Sequence, residues 1–328
     1  MKTKTMLIGL FTLFVASTCL TEAQEPRKIP QIGYQSGGSA SAATPRIDAF
    51  RQGLREIGYT EGQNVVIEYR YAEGNLDRIP ELVAELVRLK VNVIVSGTEQ
   101  GIRAAQKATK IIPIIMAATG DPVQSGFVTS LARPGGNITG TTSSASPEST
   151  RKQVELLKEA VPQLSRLAVL WNSRNVSQRE RIKDVEAAAK TLNLKLQLLA
   201  LDRPADADNI FSAITKERPN ALLIFRSPII RALGTRVTEF TNKNRIPVMY
   251  SDSQFVEDGG LMSYKPNIRD LDQRTAVYVD KVLKGANPAD LPVEGPKKFE
   301  VIINLKTAQQ IGLTIPQAVL SRADKVIK

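Results

Sequence analysis

Histidine is absent from the 328 residues of this chain, and cysteine occurs once, at Cys19. The absence of histidine excludes a Ser-His-Asp triad, the usual imidazole general base and most catalytic zinc sites. A single cysteine excludes an intrachain disulfide, and Cys19 lies in a segment that we expect to be removed, which leaves no cysteine nucleophile. Most familiar catalytic plans are therefore excluded. We expect a protein that is not an enzyme and that holds no metal ion and no cofactor.

Glycine motifs of nucleotide-binding proteins are missing as well. Residues 133–140 contain arginine and glycine, but they have neither the lysine of a Walker loop nor the dinucleotide fingerprint, and their Pro-Gly-Gly run is typical of a turn. The formal net charge is +11. Because the basic residues are spread over amphipathic segments, with no clustered arm or aromatic stacking motif, we interpret them as a solvated surface and expect no nucleic-acid partner.

The N-terminus has the features of a secretory signal peptide. Two lysines precede an apolar stretch over residues 6–16, which is short for a bilayer span. Small residues just before Gln24 predict cleavage there, so we interpret residues 1–23 as a signal peptide and the mature protein as periplasmic or otherwise extracytoplasmic. The alternatives are a lipid anchor on Cys19 after cleavage before that residue, and an uncleaved membrane anchor.

After the N-terminal segment, apolar strand-like runs alternate with amphipathic helical patterns. Ile47, Phe50 and Leu54 recur at helical spacing, and short apolar runs such as residues 91–95 are typical of buried parallel strands. A second series of the same kind follows residue 140, with one helix predicted over residues 228–244 and another over residues 268–283. The fold class is therefore α/β, with two doubly wound parallel-sheet lobes. We assign residues 28–140 and 262–286 to lobe 1, and residues 141–261 and 287–328 to lobe 2.

Small hydroxyl residues, carboxylates and aromatic residues follow several of the predicted strands. Ligands of open parallel sheets bind at the carboxyl ends of the strands. The candidate ligand-binding residues are therefore Tyr34, Ser36, Ser96, Thr98, Thr119, Asp121, Asn172, Ser227, Ser251, Asp252 and Tyr264.

Two chemical roles are open for the polar candidates. Ser96, Thr98 and Thr119, with the backbone N–H groups of adjacent helices, are suited to a carboxylate, but the same residue types also cap helices. Asp121 could meet an ammonium group, although an Asp-Pro pair favours the role of a helix N-cap. Asp252 is better placed as a cation partner, because it follows a strand of the second lobe.

The aromatic candidates are interpreted through stacking. Tyr34 and Tyr264 lie near predicted strand ends, where their rings could contact a planar ligand, whereas core packing is favoured for Trp171. Asn172, Ser227 and Ser251 would add polar contacts from lobe 2.

Several longer motifs together carry a resemblance to a known family. They are FRQGLREIGY at 50–59, GDPV at 120–123, LARPGGNITG at 131–140, GGLMSY at 259–264 and GLTIP at 312–316. With these motifs the chain resembles the ABC-transporter substrate-binding proteins of the periplasmic-binding-protein type I fold, a family that includes tryptophan- and tyrosine-binding members.

The resemblance implies two lobes joined by three crossovers, with a ligand between them. It also implies delivery of the ligand to an ABC permease in the membrane. The expected ligand is a small polar organic molecule, with amino acids as the leading class, aromatic ones among them. We expect a monomer.

Three other classes of protein are alternatives to this interpretation. A ligand sensor for a signalling receptor would capture its ligand in the same way and stays open. A secreted hydrolase is less favoured, because no convincing nucleophile elbow is present. A transcription regulator would need a DNA-binding head before the first strand, where residues 1–28 carry the export signal instead.

Overall fold

The computed structural model of the protein describes residues 29–328. The predicted signal peptide, residues 1–23, and Cys19 lie outside the described residues. Within residues 29–328, every helix falls short of the length or the hydropathy that a bilayer span requires.

Lobe 1 contains a five-stranded parallel sheet with the strand order β2-β1-β3-β4-β5. Its first elements are β1 (Gln31–Ser36), α1 (Ala40–Glu56), β2 (Val66–Tyr71), α2 (Ile79–Arg88), β3 (Val93–Ser96), α3 (Glu99–Ala108), β4 (Ile114–Thr119) and β5 (Ile138–Thr142). Strands β3 and β4 are buried along their whole length, because helices cover both faces of the sheet.

Lobe 2 contains a seven-stranded sheet with the order β12-β11-β10-β9-β8-β6-β7. The elements from residue 147 onward are α4 (Pro147–Ala160), β6 (Arg166–Trp171), α5 (Val176–Thr191), β7 (Lys195–Ala200), α6 (Ala207–Glu217), β8 (Ala221–Ile224), α7 (Pro228–Ala232), α8 (Thr235–Lys243), β9 (Val248–Tyr250), α9 (Gln254–Glu257), β10 (Met262–Pro266), α10 (Ile268–Leu283), β11 (Phe299–Asn304), α11 (Leu305–Gln310), α12 (Gln317–Leu320) and β12 (Lys325–Ile327). Of these elements, α10 packs on lobe 1 rather than on this sheet. The sheet is parallel except for the antiparallel pair β10–β11.

One predicted helix is two helices in the structure. The predicted helix over residues 228–244 is broken into α7 and α8 at Gly234, whose φ is +54°. A positive φ is easily adopted by glycine, which has no Cβ, and it interrupts the helical hydrogen-bond ladder. The helix predicted over residues 268–283 has the predicted bounds.

The predicted lobe boundaries are wrong in the C-terminal part of the chain. Residues 262–266 form β10, which pairs with β9 and β11 in lobe 2 rather than lying in lobe 1. Residues 287–296, expected in lobe 2, lie against lobe 1, where Val293 N donates to Leu131 O at 2.7 Å. The chain returns to lobe 1 only after β10 is complete, and the proline-containing segment has no periodicity that would show where it packs.

Three crossovers therefore join the lobes, at residues 143–146, 267 and 297–298. Two of them are hydrogen-bonded to each other, since Asn267 N donates to Lys298 O at 2.9 Å. Residues 29–142 and 268–296 form lobe 1, and residues 147–266 and 299–328 form lobe 2.

Each sheet is covered on both faces by apolar side chains of the flanking helices. In lobe 1, α1 and α10 cover one face and cross closely at Gly53, where an added Cβ would lie 2.2 Å from Gln273 O. The same two helices share an ion pair in which Arg46 Nε and Nη2 donate to the Asp272 carboxylate at 2.8 and 2.6 Å. This contact fixes the late helix α10 on the first helix of the lobe.

Candidate ligand-binding site

A cleft of about 760 Å³ lies between the two lobes. Lobe 1 contributes the loop that follows β4, and the crossover at 143–146 forms one end. Lobe 2 contributes the N-terminal turns of α4 and α5, the loops after β8 and β9, and the ends of β10 and β11. This volume is within the range of pockets that enclose a small organic ligand.

The wall of lobe 1 is the loop at Gly120 and Asp121. The carboxylate of Asp121 accepts hydrogen bonds from Val123 N and Gln124 N, both at 3.0 Å, so it caps the turn that follows β4. Its second oxygen accepts a hydrogen bond of 2.7 Å from the Ser177 hydroxyl of lobe 2. We call this Ser177–Asp121 hydrogen bond the interlobe contact, because it joins the two lobes directly across the cleft.

Two aromatic rings form an apolar part of the lobe 2 wall. Tyr264 and Phe299 stack with ring centroids 4.9 Å apart and planes 5° from parallel. They lie on the antiparallel neighbours β10 and β11, and both line the cleft. Burial raises the pKa of the Tyr264 phenol, with a smaller contribution from the charge of Glu148. The phenol is therefore neutral at physiological pH. We call this pair the aromatic platform.

A cluster of polar side chains lies beside the aromatic platform. The Arg181 guanidinium donates from Nε to Thr150 Oγ1 at 3.0 Å and from Nη2 to Ser251 Oγ at 3.1 Å, and Nη2 also donates to Gln153 Oε1. The amide nitrogen of Gln153 in turn donates to the backbone oxygen of Tyr264 at 2.7 Å. The guanidinium and the aromatic platform are thus connected through one glutamine side chain.

Burial lowers the pKa of the Arg181 guanidinium to about 9, an effect that the charge of Asp184 opposes only in part. The guanidinium carbon lies 3.8 Å from the centroid of the Phe225 ring. Within residues 29–328, Arg181 forms no ion pair with a carboxylate, whereas the nearby Lys183 is 2.8 Å from Glu180. The cleft therefore contains a positive charge whose direct contacts are neutral hydrogen-bond acceptors and a ring, with Asp184 as a nearby carboxylate that does not pair with it.

Four of the eleven predicted site residues line the cleft. They are Asp121, Ser251, Asp252 and Tyr264. Asp252, however, already has a cation partner in Arg231 and accepts a hydrogen bond from Gln254 N at 3.1 Å. Its charge is therefore compensated within the lobe, which weakens the prediction that it binds a ligand cation.

The predicted residues at the ends of β1 and β3 do not line the cleft. Tyr34 is 3% exposed and packs on the rings of Phe50 and Tyr69 with centroids 5.5 and 6.0 Å away. Ser96 is fully buried and donates to Gln35 Oε1 at 2.8 Å, and Thr98 caps α3. Three further candidates are also outside the lining.

In those three, the side chains serve the local backbone or the core. Ser36 accepts from Gly38 N at 3.3 Å and Asn172 accepts from Arg174 N at 2.9 Å. Ser227 caps α7 by accepting from Ile230 N at 3.0 Å. Helix and turn capping is thus the observed role of the small polar residues in these loops.

Thr119 is a separate case. It lies directly before the cleft loop but is itself 4% exposed, and its hydroxyl has no hydrogen-bond partner within residues 29–328. Thr119 does not line the cleft, because the lining begins at the next residue, Gly120. The structure therefore does not support the expected contact between its hydroxyl and a ligand.

Sequence reasoning missed the polar face of α5. Ser177, Gln178, Arg181 and Asp184 lie on one side of this helix and line the cleft. Their spacing of one, three and three residues is that of a helical stripe, and the helix starts at the carboxyl end of β6. The available signal was therefore an all-polar stripe in the first turns of a helix that begins at the ligand-binding edge.

Within residues 29–328, no three metal-binding side chains converge at this cleft or elsewhere. The groups that line it are hydrogen-bond donors and acceptors, cations of lobe 2 that include the half-buried Arg181, carboxylates of both lobes and two rings. Such a set is suited to holding a polar organic molecule with a planar part.

Two α/β lobes with parallel-dominated sheets, three crossovers and a ligand-sized cleft between them define a binding protein of the periplasmic-binding-protein type I fold. The sequence gives the family directly: the model of the ABC transporter substrate binding protein family matches residues 39–327, so the chain belongs to that family. The predicted family resemblance and the predicted fold class are both confirmed.

Similarity to one characterised protein and to two solved structures supports this assignment. The tyrosine-binding protein of Clostridioides difficile (strain R20291) is 27% identical over 273 residues, which cover 82% of this chain and 78% of that protein. The crystal structure of an ABC domain in complex with L-Trp from Streptococcus pneumonia is 28% identical, with a TM-score of 0.73 over 92% of this chain and 100% of that chain. The ligand-free, open structure of a substrate binding protein with adhesive properties from Clostridium difficile shares the fold, with a TM-score of 0.79 at 23% identity over 92% of this chain and 100% of that chain.

Proposed function

We propose that this protein is the exported binding component of an ABC importer, and that it captures an amino acid with an aromatic side chain between its lobes. The observation that supports this most directly is the aromatic platform, a pair of parallel rings that opens into a cleft otherwise lined by polar groups. A stacked ring surface favours a flat ligand group. The names of the tyrosine-binding and L-Trp-bound relatives point to the same ligand class.

The proposed mechanism is hinge closure without bond-making chemistry. A ligand that contacts both walls binds the closed form better than the open form, and it shifts the population by that difference in affinity. The interlobe contact would stabilise the closed form, because the Ser177 hydroxyl can reach Asp121 only when the two walls are close. The closed form would then be the one that the permease recognises.

The proposed setting is extracytoplasmic, after removal of residues 1–23, with a lipid anchor at Cys19 as the alternative form. The protein would act as a monomer that binds an ABC permease at the membrane, without a nucleic-acid partner. A receptor-associated ligand sensor would use the same capture step.

The test is native mass spectrometry of gently purified protein that starts at Gln24, followed by calorimetric titration of unfolded and refolded protein. The titrants are L-tyrosine, L-tryptophan, L-leucine and D-galactose. We expect one aromatic amino acid to bind at a ratio of 1:1 and to make the protein more compact in small-angle scattering. Binding of galactose alone, or chemical conversion of a bound titrant, would overturn the proposal.

A further inference from the structure

The cations that line the cleft differ in how their charge is compensated. Lys183 is paired with Glu180 at 2.8 Å, and Lys265 is paired with Glu300 at 3.0 Å. Arg226 also lines the cleft, but its side chain is exposed. Arg181 is half-buried, and within residues 29–328 no carboxylate lies within ion-pair distance of it, although the charge of Asp184 acts on it from further away. A charge that is partly removed from water without a paired opposite charge is costly, so such a group in a ligand cleft needs an explanation.

The side chain of Arg181 is held in one position from three sides. Thr150 accepts from Nε, Ser251 accepts from Nη2, and the Phe225 ring covers one face of the guanidinium plane at 3.8 Å. Thr150 is fully buried, so this arrangement does not depend on a mobile surface group. The remaining nitrogen, Nη1, makes no hydrogen bond within the described part of the chain. The group is therefore oriented in advance, with donor capacity left over.

From this geometry we infer that Arg181 binds the carboxylate of the ligand, and that the cleft selects carboxylic acids over the corresponding amines. A guanidinium presents donors in a planar fork that matches the two oxygens of a carboxylate. The neutral acceptors around Arg181 satisfy some of its protons but none of its charge. A bound carboxylate supplies a negative charge at hydrogen-bond distance, which Asp184 does not.

The connection between this anchor and the aromatic platform indicates the rest of the ligand. Gln153 accepts from Arg181 and donates to the backbone oxygen of Tyr264 at 2.7 Å, so one side chain spans the gap between them. A single molecule can then place its carboxylate on Arg181 and its ring against Tyr264 and Phe299. This is the outline of an aromatic amino acid, and also of the arylpropionic acid that lacks the amino group.

The carboxylate is thereby placed on lobe 2. The alternative location was the set of helix starts in lobe 1, but Ser96 and Thr98 are hydrogen-bonded to Gln35 and lie outside the cleft lining. This inference rests on the proposed function, since it concerns the same cleft. It differs in that it assigns one residue and one ligand group.

The test compares ligand analogues on the unchanged protein and a residue change with a matched control. Calorimetric titrations are made with L-tyrosine and L-tryptophan, with the amines tyramine and tryptamine, and with the acids 3-(4-hydroxyphenyl)propionate and indole-3-propionate. The variants are Arg181→Gln, Arg181→Lys and Arg179→Gln. Arg179 is exposed on the same helix, donates to Ser173 O at 2.7 Å and does not line the cleft.

We expect both amines to bind at least about 30-fold more weakly than the amino acids, as for loss of a charge-assisted hydrogen bond. We expect the same loss for amino acids in Arg181→Gln, a smaller loss in Arg181→Lys, and none in Arg179→Gln. Circular dichroism melts check the fold of each variant, and the analogue series on the unchanged protein gives an answer even if Arg181→Gln does not fold.

Different results contradict different statements. If the amino acids bind and the amines bind equally well, or if folded Arg181→Gln keeps full affinity, the assignment of Arg181 is wrong while the proposed function stands. If no aromatic amino acid binds but the arylpropionic acids bind in an Arg181-dependent manner, the amino-acid function is wrong and the carboxylate anchor stands. If no carboxylate of the series binds, both are wrong.

Discussion

Replacement of Phe299 by alanine isolates the contribution of the aromatic platform. Phe299 is half-buried at the start of β11, and it stacks on Tyr264 with the planes 5° from parallel. Its removal takes away one ring surface of the cleft and leaves Tyr264 without the neighbour that orients it. Because no charged group of the cleft is changed, any loss of affinity reports on stacking and apolar contact.

The expected size of this loss follows from two contributions. A stacked aromatic pair contributes about 1 kcal/mol beyond the burial of its area. One ring face of about 40 Å² that is covered by the ligand contributes about 1 kcal/mol more at about 25 cal/mol per Å². The sum of about 2 kcal/mol corresponds to a Kd that is about 30-fold higher.

Calorimetric titration with L-tyrosine or L-tryptophan measures this change. The control is Phe211→Ala, because Phe211 is also half-buried and stacked, with its centroid 4.3 Å from that of Phe240, but it lies away from the cleft. The control is expected to lower the unfolding temperature and to leave the Kd unchanged. The reasoning is refuted if Phe299→Ala binds as tightly as the unchanged protein, or if the two variants lose affinity equally.

Three further changes test other parts of the structure. Ser177→Ala removes the interlobe contact, so we expect a larger radius of gyration without ligand in small-angle scattering and an affinity about fivefold lower; unchanged scattering contradicts this. Asp272→Asn leaves the Arg46 charge without its buried partner and should lower the free energy of unfolding in urea by about 3 kcal/mol; a cost below that of a surface change contradicts it. Hydrogen bonds from the Ser173 hydroxyl and backbone lower the pKa of Asp202, so the stability that this carboxylate contributes is present above the unfolded-state pKa near 4 and is lost as the pH falls. In thermal melts from pH 2 to 6, the unfolding temperature of Asp202→Asn should therefore fall less steeply with pH than that of the unchanged protein. An equal fall in both proteins contradicts this.

The fold could be predicted from the sequence because its signals are local. The apolar spacing of the residues in α1 and in α10 defines helices whichever elements they pack against, and the bounds of α10 agree with the prediction. The lobe of each C-terminal segment could not be predicted in the same way. β10 is apolar on either sheet, and only its hydrogen bonds to β9 and β11 show that it belongs to lobe 2.

The candidate site could be predicted only to the level of the sheet edge. Ser251 and Tyr264 lie where the strand pattern placed them, yet Tyr34, at the end of an equally apolar strand, is turned into the core. Side chains alternate between the two faces of a strand, so a shift of one residue moves a side chain from the cleft into the core. The position of a strand end in the sequence does not show which of the two faces its last side chain takes.

The anchor residue Arg181 was missed for a different reason. A basic residue on an amphipathic helix is typical of a solvated surface, and nothing in its immediate neighbours distinguishes it from Arg179, which is exposed. What distinguishes Arg181 is contact with Thr150 and Ser251, which are distant along the chain. Such long-range contacts become visible only after the lobe has been assembled.

The close crossing of α1 and α10 has a consequence for the order in which the chain can fold. One face of the lobe 1 sheet is covered only in part, by α1, until residues 268–283 have been added more than two hundred residues later. Lobe 2 is likewise incomplete until β11 and β12 pair near the C-terminus. Contacts of such long sequence separation form slowly. A chain that lacks α10 leaves apolar surface of lobe 1 exposed, and one that lacks β11 and β12 leaves the sheet of lobe 2 incomplete.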